Sequence, residues 1–397
     1  MRVRPMSPVS PAMTRRGLLT SVGATLLVAG CDVPAMIPGA SGGAAVDASR
    51  PVPVALLVPG GGSEDRQALA RNLENAARLA IADLQGVQID LRVYQTAGDP
   101  SRAASQAAQA INDGSRIILG PLFADSARAV GPVAAQAGVN VLSFSNNPAV
   151  GGGNVFLLGN MFENTATRLL GFAAGRGRGQ VMVVSEQNEA GRVAEQAIRA
   201  AAQRTGASIV ATQAYAFSQQ GIVDALPRIA SAARASGAQS IIFTAGSEGA
   251  LPLLAELLPQ NNVSGSDFQF MGLTRWDIPP ATLELSGLQG GWFALPDPQL
   301  TSAFESRYRA AYDTTPNAIA ALGVDAIAVV AQLLRRGGRT PFSAEAIRDP
   351  SGFVGATGVF RFRADGSNER GLAVAEIRDE RRVVLSPAPR SFVGGGS

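Results

Sequence analysis

The segment that decides the fold runs from residue 116 to residue 147 and reads RIILGPLFADSARAVGPVAAQAGVNVLSFSNN. Its short apolar runs predict strands over residues 116–119 and 140–143. The alanine-rich stretch between them has the length and apolar spacing of a helix over residues 124–137. Strand, helix and strand in such close succession are typical of a parallel sheet with helices on both faces.

The same alternation extends from this segment toward the amino terminus. Residues 54–58 read VALLV and predict a buried strand, and a second strand is predicted over residues 88–94. Between them, residues 65–84 carry apolar side chains at helical spacing and predict a long helix. A helix over residues 100–111 follows, and Asp99 directly before it is a candidate N-cap. This half of the chain therefore predicts one α/β lobe.

The pattern starts again after the glycine run at residues 151–153. There is no convincing sequence repeat, but strands and helices alternate a second time, so we expect two α/β lobes of similar build that share a cleft. Two further helices and a hairpin region complete the chain. The strands of this half are predicted over residues 180–185, 208–214 and 240–244, the helices over 190–204, 221–235, 250–258, 300–312 and 319–336, and the hairpin region over 359–362, 372–378 and 383–385.

An export signal is predicted over residues 1–30. This stretch combines a charged start, an apolar run too short to span a bilayer comfortably, and small residues before Cys31. The pair Arg15-Arg16 resembles the motif of a twin-arginine signal, and an ordinary Sec signal is the alternative. The sequence therefore predicts a protein that is exported from the bacterial cytoplasm to the periplasm.

A lipid anchor is predicted directly after the signal. Residues 28–31 read VAGC and resemble a bacterial lipobox, in which Cys31 would be lipid-modified; an uncleaved apolar anchor with a buried cysteine is the alternative. The residues that follow, up to residue 50, are rich in Pro, Gly, Ala and Ser, so residues 31–50 are expected to form the lipidated cysteine and a flexible tether. No later stretch is long and apolar enough for a transmembrane helix.

The composition excludes most kinds of catalytic site. All 34 basic residues are arginines, because the sequence has no lysine and no histidine, and Cys31 is its one cysteine. Catalytic triads with histidine, Schiff-base and P-loop lysines, His- or Cys-ligated zinc and intrachain disulfides are therefore excluded. A carboxylate pair such as Glu186 and Glu189 is the remaining enzymatic alternative. We expect a non-catalytic protein with no cofactor and no metal.

The distribution of charge argues against a nucleic-acid partner. The formal net charge is +3, but the first thirty residues contain four arginines and no acidic residue. The rest of the chain carries 30 arginines against 31 acidic residues. It therefore lacks the positive surplus on which proteins that bind phosphate backbones rely.

Polar loops follow several of the predicted strands where helices begin. In open parallel sheets a ligand lies beyond the carboxyl ends of the strands, and the free N–H groups of helix amino termini suit a carboxylate. The loop at residues 60–63 either approaches a ligand closely or is a flexible turn, and Asp125 or Ser126 either caps its helix or contacts ligand. Trp276 and Trp292 either line the cleft or belong to the core. The candidate ligand-binding residues are Ser63, Ser126, Ser143, Ser145, Asn146, Gln187 and Glu248.

Three segments together resemble the type I periplasmic-binding fold, in particular the leucine/isoleucine/valine-binding family. They are residues 54–59 with the glycine turn and long helix that follow, the segment at residues 117–147, and the glycine-rich stretch at residues 353–366. The resemblance covers residues 52–386. It implies a two-lobe α/β fold in which each lobe is a parallel sheet flanked by helices and hinge crossovers join the lobes.

The resemblance also implies roles for particular residues. Ser145 and Asn146 lie in a loop that matches the stretch that grips the carboxylate and ammonium groups of an amino acid, and a polar turn is the alternative. Glu248 falls near the position of the acid that holds the ammonium, and a surface glutamate at a helix start is the alternative. The pair Ala190-Gly191 departs from the family, which commonly has a Tyr-Gly pair whose ring packs on the ligand. That departure favours either a different ligand or none.

Two functions stay open at this point. One is a receptor that binds a small polar or amino-acid-like ligand for an ABC permease. The other follows from the stretch Gly120-Pro121-Leu122, which resembles the penicillin-binding-protein activator lipoproteins. That branch of the family regulates peptidoglycan synthases through protein contacts.

The expected hinge crossovers divide the chain into discontinuous lobes. They are predicted near residues 155–160, 293–298 and 350. The first lobe would then comprise residues 51–157 and 297–350, and the second lobe residues 158–296 and 351–390. Residues 391–397 are expected to form a disordered tail.

Overall fold

The computed structural model describes residues 43–392, and its first lobe is built on a five-stranded parallel sheet. The strands are β1 (Val52–Val58), β2 (Ile89–Gln95), β3 (Ile118–Leu119), β4 (Val141–Ser143) and β5 (Val155–Leu157). The helices between them are α1 (Glu64–Ala82), α2 (Pro100–Asn112) and α3 (Ala124–Gln136). The strands lie in the order β2-β1-β3-β4-β5.

The central strand β1 is apolar on both faces because helices cover both faces of the sheet. Leu56 and Val58 point into one hydrophobic cluster, whereas Leu57 points into the cluster on the opposite face. The predicted cap of α2 is confirmed, since the Asp99 side chain accepts a hydrogen bond from the backbone N–H of Arg102 at 2.7 Å.

The second lobe repeats the topology of the first. Its parallel strands are β6 (Gln180–Glu186), β7 (Ser208–Tyr215), β8 (Ser240–Phe243), β9 (Gln269–Gly272) and β10 (Trp292–Leu295), and its helices are α4 (Phe162–Ala174), α5 (Glu189–Thr205), α6 (Gln219–Ala235) and α7 (Leu251–Gln260). They lie in the order β7-β6-β8-β9-β10, which matches the first sheet. In each sheet the strand order reverses at one point, between β1 and β3 or between β6 and β8, and ligands of such sheets bind at that point.

The chain passes between the lobes three times: between β5 and α4, between β10 and the next helix, and near the carboxyl end. The remaining elements are α8 (Pro298–Tyr312), α9 (Ala321–Arg336), α10 (Ala344–Ile347), a small antiparallel sheet of β11 (Phe353–Gly355), β12 (Gly358–Phe362) and β13 (Asn368–Arg370), and the strands β14 (Ala373–Arg378) and β15 (Arg381–Ser386). Helices α8 and α9 pack on α1 in the first lobe, and β14 and β15 extend the second sheet in antiparallel fashion.

The third crossover is not near residue 350, where the sequence analysis placed it. Phe353, Phe360 and Phe362 are buried in the core of the first lobe, and the rings of Phe156 and Phe362 lie 5.7 Å apart. Burial of these rings holds the small sheet on the first lobe, so the chain crosses between β13 and β14. The assignment of residues 351–390 as one block to the second lobe is therefore wrong for the small sheet.

Part of the predicted tether packs on the first lobe. A side-chain carbon added at Gly43 would lie 2.8 Å from the backbone of Phe342, and the N–H of Val46 donates to the carbonyl of Arg339 at 3.0 Å. The flexible tether therefore does not extend to residue 50. The predicted signal and Cys31 lie outside the described residues.

The predicted disordered tail also begins too early. The guanidinium carbon of Arg361 lies 4.5 Å from the centre of the Phe392 ring, so residue 392 is held on the folded body by a cation–π contact. Residues 393–397 lie outside the described part of the chain. Among residues 43–392, no helix has the length and apolar character needed to cross a membrane.

Candidate functional site

The amino end of α3 lies at the carboxyl end of β3, beside the point where the order of the first sheet reverses. Phe123 occupies the N-cap position, and no side chain caps the helix. Asp125 instead pairs with Arg128 at 2.7 Å, and the hydroxyl of Ser126 is buried with no hydrogen-bond partner among the described residues. The interpretation of Asp125 or Ser126 as a cap is therefore wrong, and the first N–H groups of α3 are available to an anion.

Residues 143–147 form a turn beside α3 whose hydroxyl groups bond to its own backbone. The Ser143 hydroxyl donates to the carbonyl of Pro121 at 3.0 Å and accepts from the N–H of Ser145 at 3.2 Å. The Ser145 hydroxyl accepts from the N–H of Asn147 at 3.2 Å. Both serines are buried. Their hydrogen bonds hold the turn in place and leave the residue between Ser145 and Asn147 exposed.

That residue is Asn146, which is exposed. Neither its side-chain amide nor its backbone N–H has a hydrogen-bond partner among the described residues. An amide group offers both a donor and an acceptor. Asn146 is therefore the member of the turn that is free to contact a ligand.

The loop at residues 60–63 contributes a second helix amino terminus to the same edge of the sheet. Ser63 is exposed at the N-cap position of α1, but its hydroxyl makes no capping hydrogen bond. Gly60 packs on the side chain of Gln95, whose Oε1 atom is buried without a partner in the described structure. The close packing at Gly60 excludes a larger residue, so this loop is a packed turn.

In the second lobe, Gln187 and Glu248 are exposed on neighbouring loops that follow β6 and β8. The Thr244 hydroxyl joins these loops, because it accepts a hydrogen bond from the N–H of Glu186 at 3.2 Å. The Glu248 carboxylate has no partner among the described residues. The two predicted contact residues therefore lie at the same edge of the second sheet, where that sheet reverses its order.

Sequence reasoning missed a hydrogen-bonded group at this edge. The Glu186 carboxylate accepts from the Tyr215 hydroxyl at 3.1 Å and from the Asn188 amide at 3.0 Å. Burial raises the pKa of Tyr215, and the charge of Glu186 raises it further, so the hydroxyl remains a donor. The sequence does indicate that Glu186 and Tyr215 each lie at the end of a strand. It does not indicate that the two side chains meet, because their pairing depends on the register between β6 and β7.

The two carboxylates considered as a catalytic pair have separate structural partners. Glu189 is exposed and accepts from the guanidinium Nε of Arg192 at 2.9 Å, whereas Glu186 is held by Tyr215. Across residues 43–392, no group of three or more Asp, Glu, Cys or His side chains is arranged to hold a metal ion. The residues at the strand ends can bind and orient a ligand by hydrogen bonds and charge.

The two tryptophans belong to the core of the second lobe. Trp276 and Trp292 are buried in the two hydrophobic clusters of the second lobe, as expected of core residues. Ala190 is exposed at the start of α5, and a side-chain carbon at Gly191 would lie 2.0 Å from the carbonyl oxygen of Glu186. Position 191 therefore requires glycine, whereas position 190 carries a short side chain in place of the tyrosine ring that is common in the family.

The candidate residues form two groups, one on each lobe. The first-lobe group is Ser63, Ser126, Ser143, Ser145 and Asn146, and the second-lobe group is Gln187 and Glu248. No hydrogen bond or ion pair within residues 43–392 joins the two groups directly. Each group presents its free polar atoms at the carboxyl edge of its own sheet.

Two lobes with this strand order, joined by three crossovers and carrying polar loops at their strand ends, define the class of two-lobed solute-binding proteins. A sequence model of the family described as "Periplasmic binding protein" matches residues 51–382, which is most of the chain. The chain belongs to this family, whose members bind solutes and are not enzymes. The resemblance and the fold predicted from the sequence are thereby confirmed.

Solved structures of the same fold cover most of the chain. A branched-chain amino acid ABC transporter protein from Rhodospirillum rubrum aligns over 85% of this chain and 100% of its own, at 20% identity and a TM-score of 0.72. An ABC transporter substrate-binding protein from Desulfitobacterium hafniense in complex with Leu aligns over 85% and 100%, at 19% identity and a TM-score of 0.63. A solute-binding protein from R. palustris in complex with benzoate aligns over 86% and 97%, at 18% identity and a TM-score of 0.57. The chain matches no curated relative by sequence.

Proposed function

We propose that this protein is an extracytoplasmic receptor that binds a small carboxylate-bearing ligand and serves an ABC transporter. The observation that carries the proposal is the uncapped amino end of α3 beside the free amide of Asn146. A helix amino terminus carries a partial positive charge and unpaired N–H groups, which together favour a carboxylate. The receptor would work in the periplasm.

Helices α1, α3, α4, α7 and α9 have no side-chain cap, and among them α3 is the one whose amino end follows β3 beside the turn at residues 143–147. Asp99 caps α2, Asn188 caps α5 and Ser218 caps α6, each by accepting a backbone N–H. At α3 the Ser143–Pro121 hydrogen bond instead draws the polar turn against the helix end. The free N–H groups and the Asn146 amide therefore form a neutral site that offers donors to an anionic ligand.

The chemistry of known ligands in this fold is consistent with this site. The proteins from D. hafniense and R. palustris were solved with Leu and with benzoate, which share a carboxylate and differ in the ammonium group. In this chain the free carboxylate of Glu248 is the candidate partner for an ammonium group. Gln187 on the neighbouring loop could add a polar contact. We therefore propose an amino acid or a similar small zwitterion as the ligand.

We expect Asn146→Asp to weaken ligand binding about 100- to 1000-fold. A second negative charge about 4 Å from the ligand carboxylate costs roughly 4 kcal/mol at an effective dielectric constant near 20. Asn146→Ala removes only a hydrogen-bond partner and is expected to cost about 1–3 kcal/mol. The measurement is calorimetric titration of the full chain in mild detergent with the ligand that gives the largest thermal shift among amino acids, amides, benzoate and muropeptide fragments.

The matched control is Asn262→Asp, which makes the same change at an exposed asparagine beyond the end of α7. It should leave the dissociation constant within about twofold of the unmodified protein. If Asn146→Asp binds as tightly as this control, the ligand does not contact residues 143–147 and the proposed site is wrong.

We also propose that Cys31 carries a lipid that holds the protein at a membrane surface. The proposal rests on the VAGC stretch at residues 28–31. Cys31→Ala is expected to move the protein from the membrane fraction to the soluble periplasmic fraction. Replacing the Arg15-Arg16 pair by two lysines should instead retain the precursor in the cytoplasm if the signal is of the twin-arginine type. A Cys31→Ala variant that stays in the membrane fraction would contradict the anchor.

Activation of a peptidoglycan synthase remains the alternative function. Ala190 favours this alternative, because position 190 has no aromatic ring that could pack on a ligand. The stretch at residues 120–122 favours it less, because Gly120 and Pro121 are buried in the first lobe. An activator would bind a peptidoglycan synthase and leave its cleft empty. Co-purification with a purified synthase, together with no thermal shift by any small compound, would support this alternative over the receptor.

A further inference from the structure

A polar cavity lies at the hinge, and none of the candidate ligand-binding residues lines it. Its volume is about 210 Å³, and it lies between α4 of the second lobe and β13 of the first lobe, close to the third crossover. Its polar lining comprises Asn164, Thr167 and Arg168 on α4, and Arg363, Glu369 and Arg370 on the small sheet and its connecting turn.

Arg168 is the central feature of this cavity. Its Nε donates to the carbonyl of Leu372 at 2.6 Å, and its Nη2 donates to the Ser386 hydroxyl at 2.6 Å and to the carbonyl of Pro387 at 3.2 Å. All three acceptors are neutral. Arg168 forms no ion pair with any carboxylate of the described residues, and its Nη1 has no hydrogen-bond partner among them. The guanidinium is therefore fixed in place with one nitrogen free and its charge uncompensated.

Burial adds to the need for a counter-charge at this position. Desolvation lowers the pKa of Arg168, although an arginine in a protein stays protonated. A partly buried cation without an anionic partner is unfavourable unless an anion approaches it. The three neutral oxygens that hold Arg168 provide hydrogen bonds but no net negative charge.

The neighbouring ion pairs do not neutralise this excess. Glu163 is shared by Arg204 at 2.8 Å and Arg363 at 2.7 Å, and Glu369 is shared by Arg361 at 2.8 Å and Arg363 at 3.9 Å. Arg370 is paired with Asp325 at 3.0 Å. Among the residues that line the cavity, Arg168, Arg363 and Arg370 are cations and Glu369 is the one carboxylate, and Arg168 is the cation without a carboxylate partner.

We propose that this hinge cavity binds a small oxyanion, either phosphate or a short carboxylate, held by Arg168 Nη1 and the Thr167 hydroxyl. The Thr167 hydroxyl has no hydrogen-bond partner among the described residues, and it stands one position before Arg168 on α4. A cavity of 210 Å³ accommodates an anion of this size. Because its walls belong to different lobes, a bound anion stabilises one angle between the lobes and so adjusts the affinity of the cleft.

The test measures thermal unfolding of the full chain in mild detergent during titration with phosphate, sulfate and succinate, with chloride at matched ionic strength as the reference. We expect a saturable rise in melting temperature with phosphate or with succinate beyond the effect of chloride. A response to phosphate alone or to succinate alone identifies which anion the cavity prefers. The same saturable rise should occur in the Asn146→Asp variant, because the hinge cavity does not include the cleft residues.

Variants of the cavity decide whether the anion binds there. Arg168→Gln should weaken anion binding at least tenfold. Thr167→Val should weaken it severalfold while every Arg168 hydrogen bond is kept, so it remains informative if Arg168→Gln folds poorly. Arg199→Gln, which removes an exposed arginine of α5, is the matched control and should bind the anion normally. The proposal is overturned if the anions act no differently from chloride, or if Thr167→Val and every folded Arg168 variant bind as the control does.

Discussion

Replacing Asp325 by alanine is expected to lower the free energy of unfolding by about 3–5 kcal/mol, because it leaves a buried guanidinium without its counter-ion. Asp325 lies in α9 and is fully buried, and the Arg370 side chain is only 3% exposed. Arg370 Nη1 donates to Asp325 at 3.0 Å, and the Thr357 hydroxyl donates to the same carboxylate at 2.5 Å. Arg370 also donates to the carbonyl of Leu158 at the first crossover. The lost contacts therefore join α9 to Thr357 and to Arg370, and Arg370 in turn holds the first crossover.

The measurement is urea denaturation of the full chain, with Asp125→Ala as the control. Asp125 pairs with Arg128 on the surface, where the two side chains are 75% and 60% exposed, so its loss should cost less than about 1 kcal/mol. If Asp325→Ala costs no more than this surface change, the buried pair does not stabilise the hinge. A fold that survives but shows altered ligand affinity would indicate that the pair also sets the angle between the lobes.

Gly120→Ala is expected to destabilise the first lobe by about 2–5 kcal/mol and to weaken ligand binding. Gly120 has a φ of +83°, which costs a residue with a side chain roughly 1–2 kcal/mol. The new side-chain carbon would also lie 2.3 Å from the carbonyl oxygen of Leu57 in the central strand β1, and such overpacking adds about 1–3 kcal/mol. The strain falls next to Pro121, which accepts the Ser143 hydrogen bond that positions the candidate turn.

Gly86→Ala separates the two causes. Gly86 has a φ of +76°, but a side-chain carbon there would meet no atom within 4 Å. This variant should lose only the roughly 1–2 kcal/mol that the backbone conformation costs, and it should bind ligand normally. The difference between the two variants in urea denaturation then measures the clash with Leu57. Equal losses would show that the first lobe can relax around residue 120.

The strand and helix pattern could be predicted because it depends on local chemistry. Runs such as residues 54–58 are apolar without interruption only where helices cover both faces of a sheet. The boundaries differ by one or two residues, as at β1, which begins at Val52 because that residue pairs with Ile89 of the neighbouring strand. No element was predicted over Phe162–Ala174 or Gln269–Gly272, and these are the helix α4 and the strand β9.

The position of the third crossover depended on contacts between distant parts of the chain. The sequence predicts residues 359–362, 372–378 and 383–385 as parts of one hairpin region. The structure separates them, since Phe360 packs in the core of the first lobe, whereas Val374 packs in the second. The hinge pair of Asp325 and Arg370 was equally hidden, because 45 residues separate the two in sequence.

The sequence by itself determined the class of fold, the absence of lysine and histidine chemistry, and the loops that follow the strands, since each of these depends on residue type and local order. It could not determine which polar side chains in those loops are free. Ser143 and Ser145 looked as suitable as Asn146, but their hydroxyls are buried in bonds to the backbone of the turn. Only the tertiary structure showed that Asn146 is the residue of this turn with an exposed, unpaired amide. The reason is that folding places hydrogen-bond partners beside Ser143 and Ser145, and buried polar groups in proteins are nearly always hydrogen-bonded.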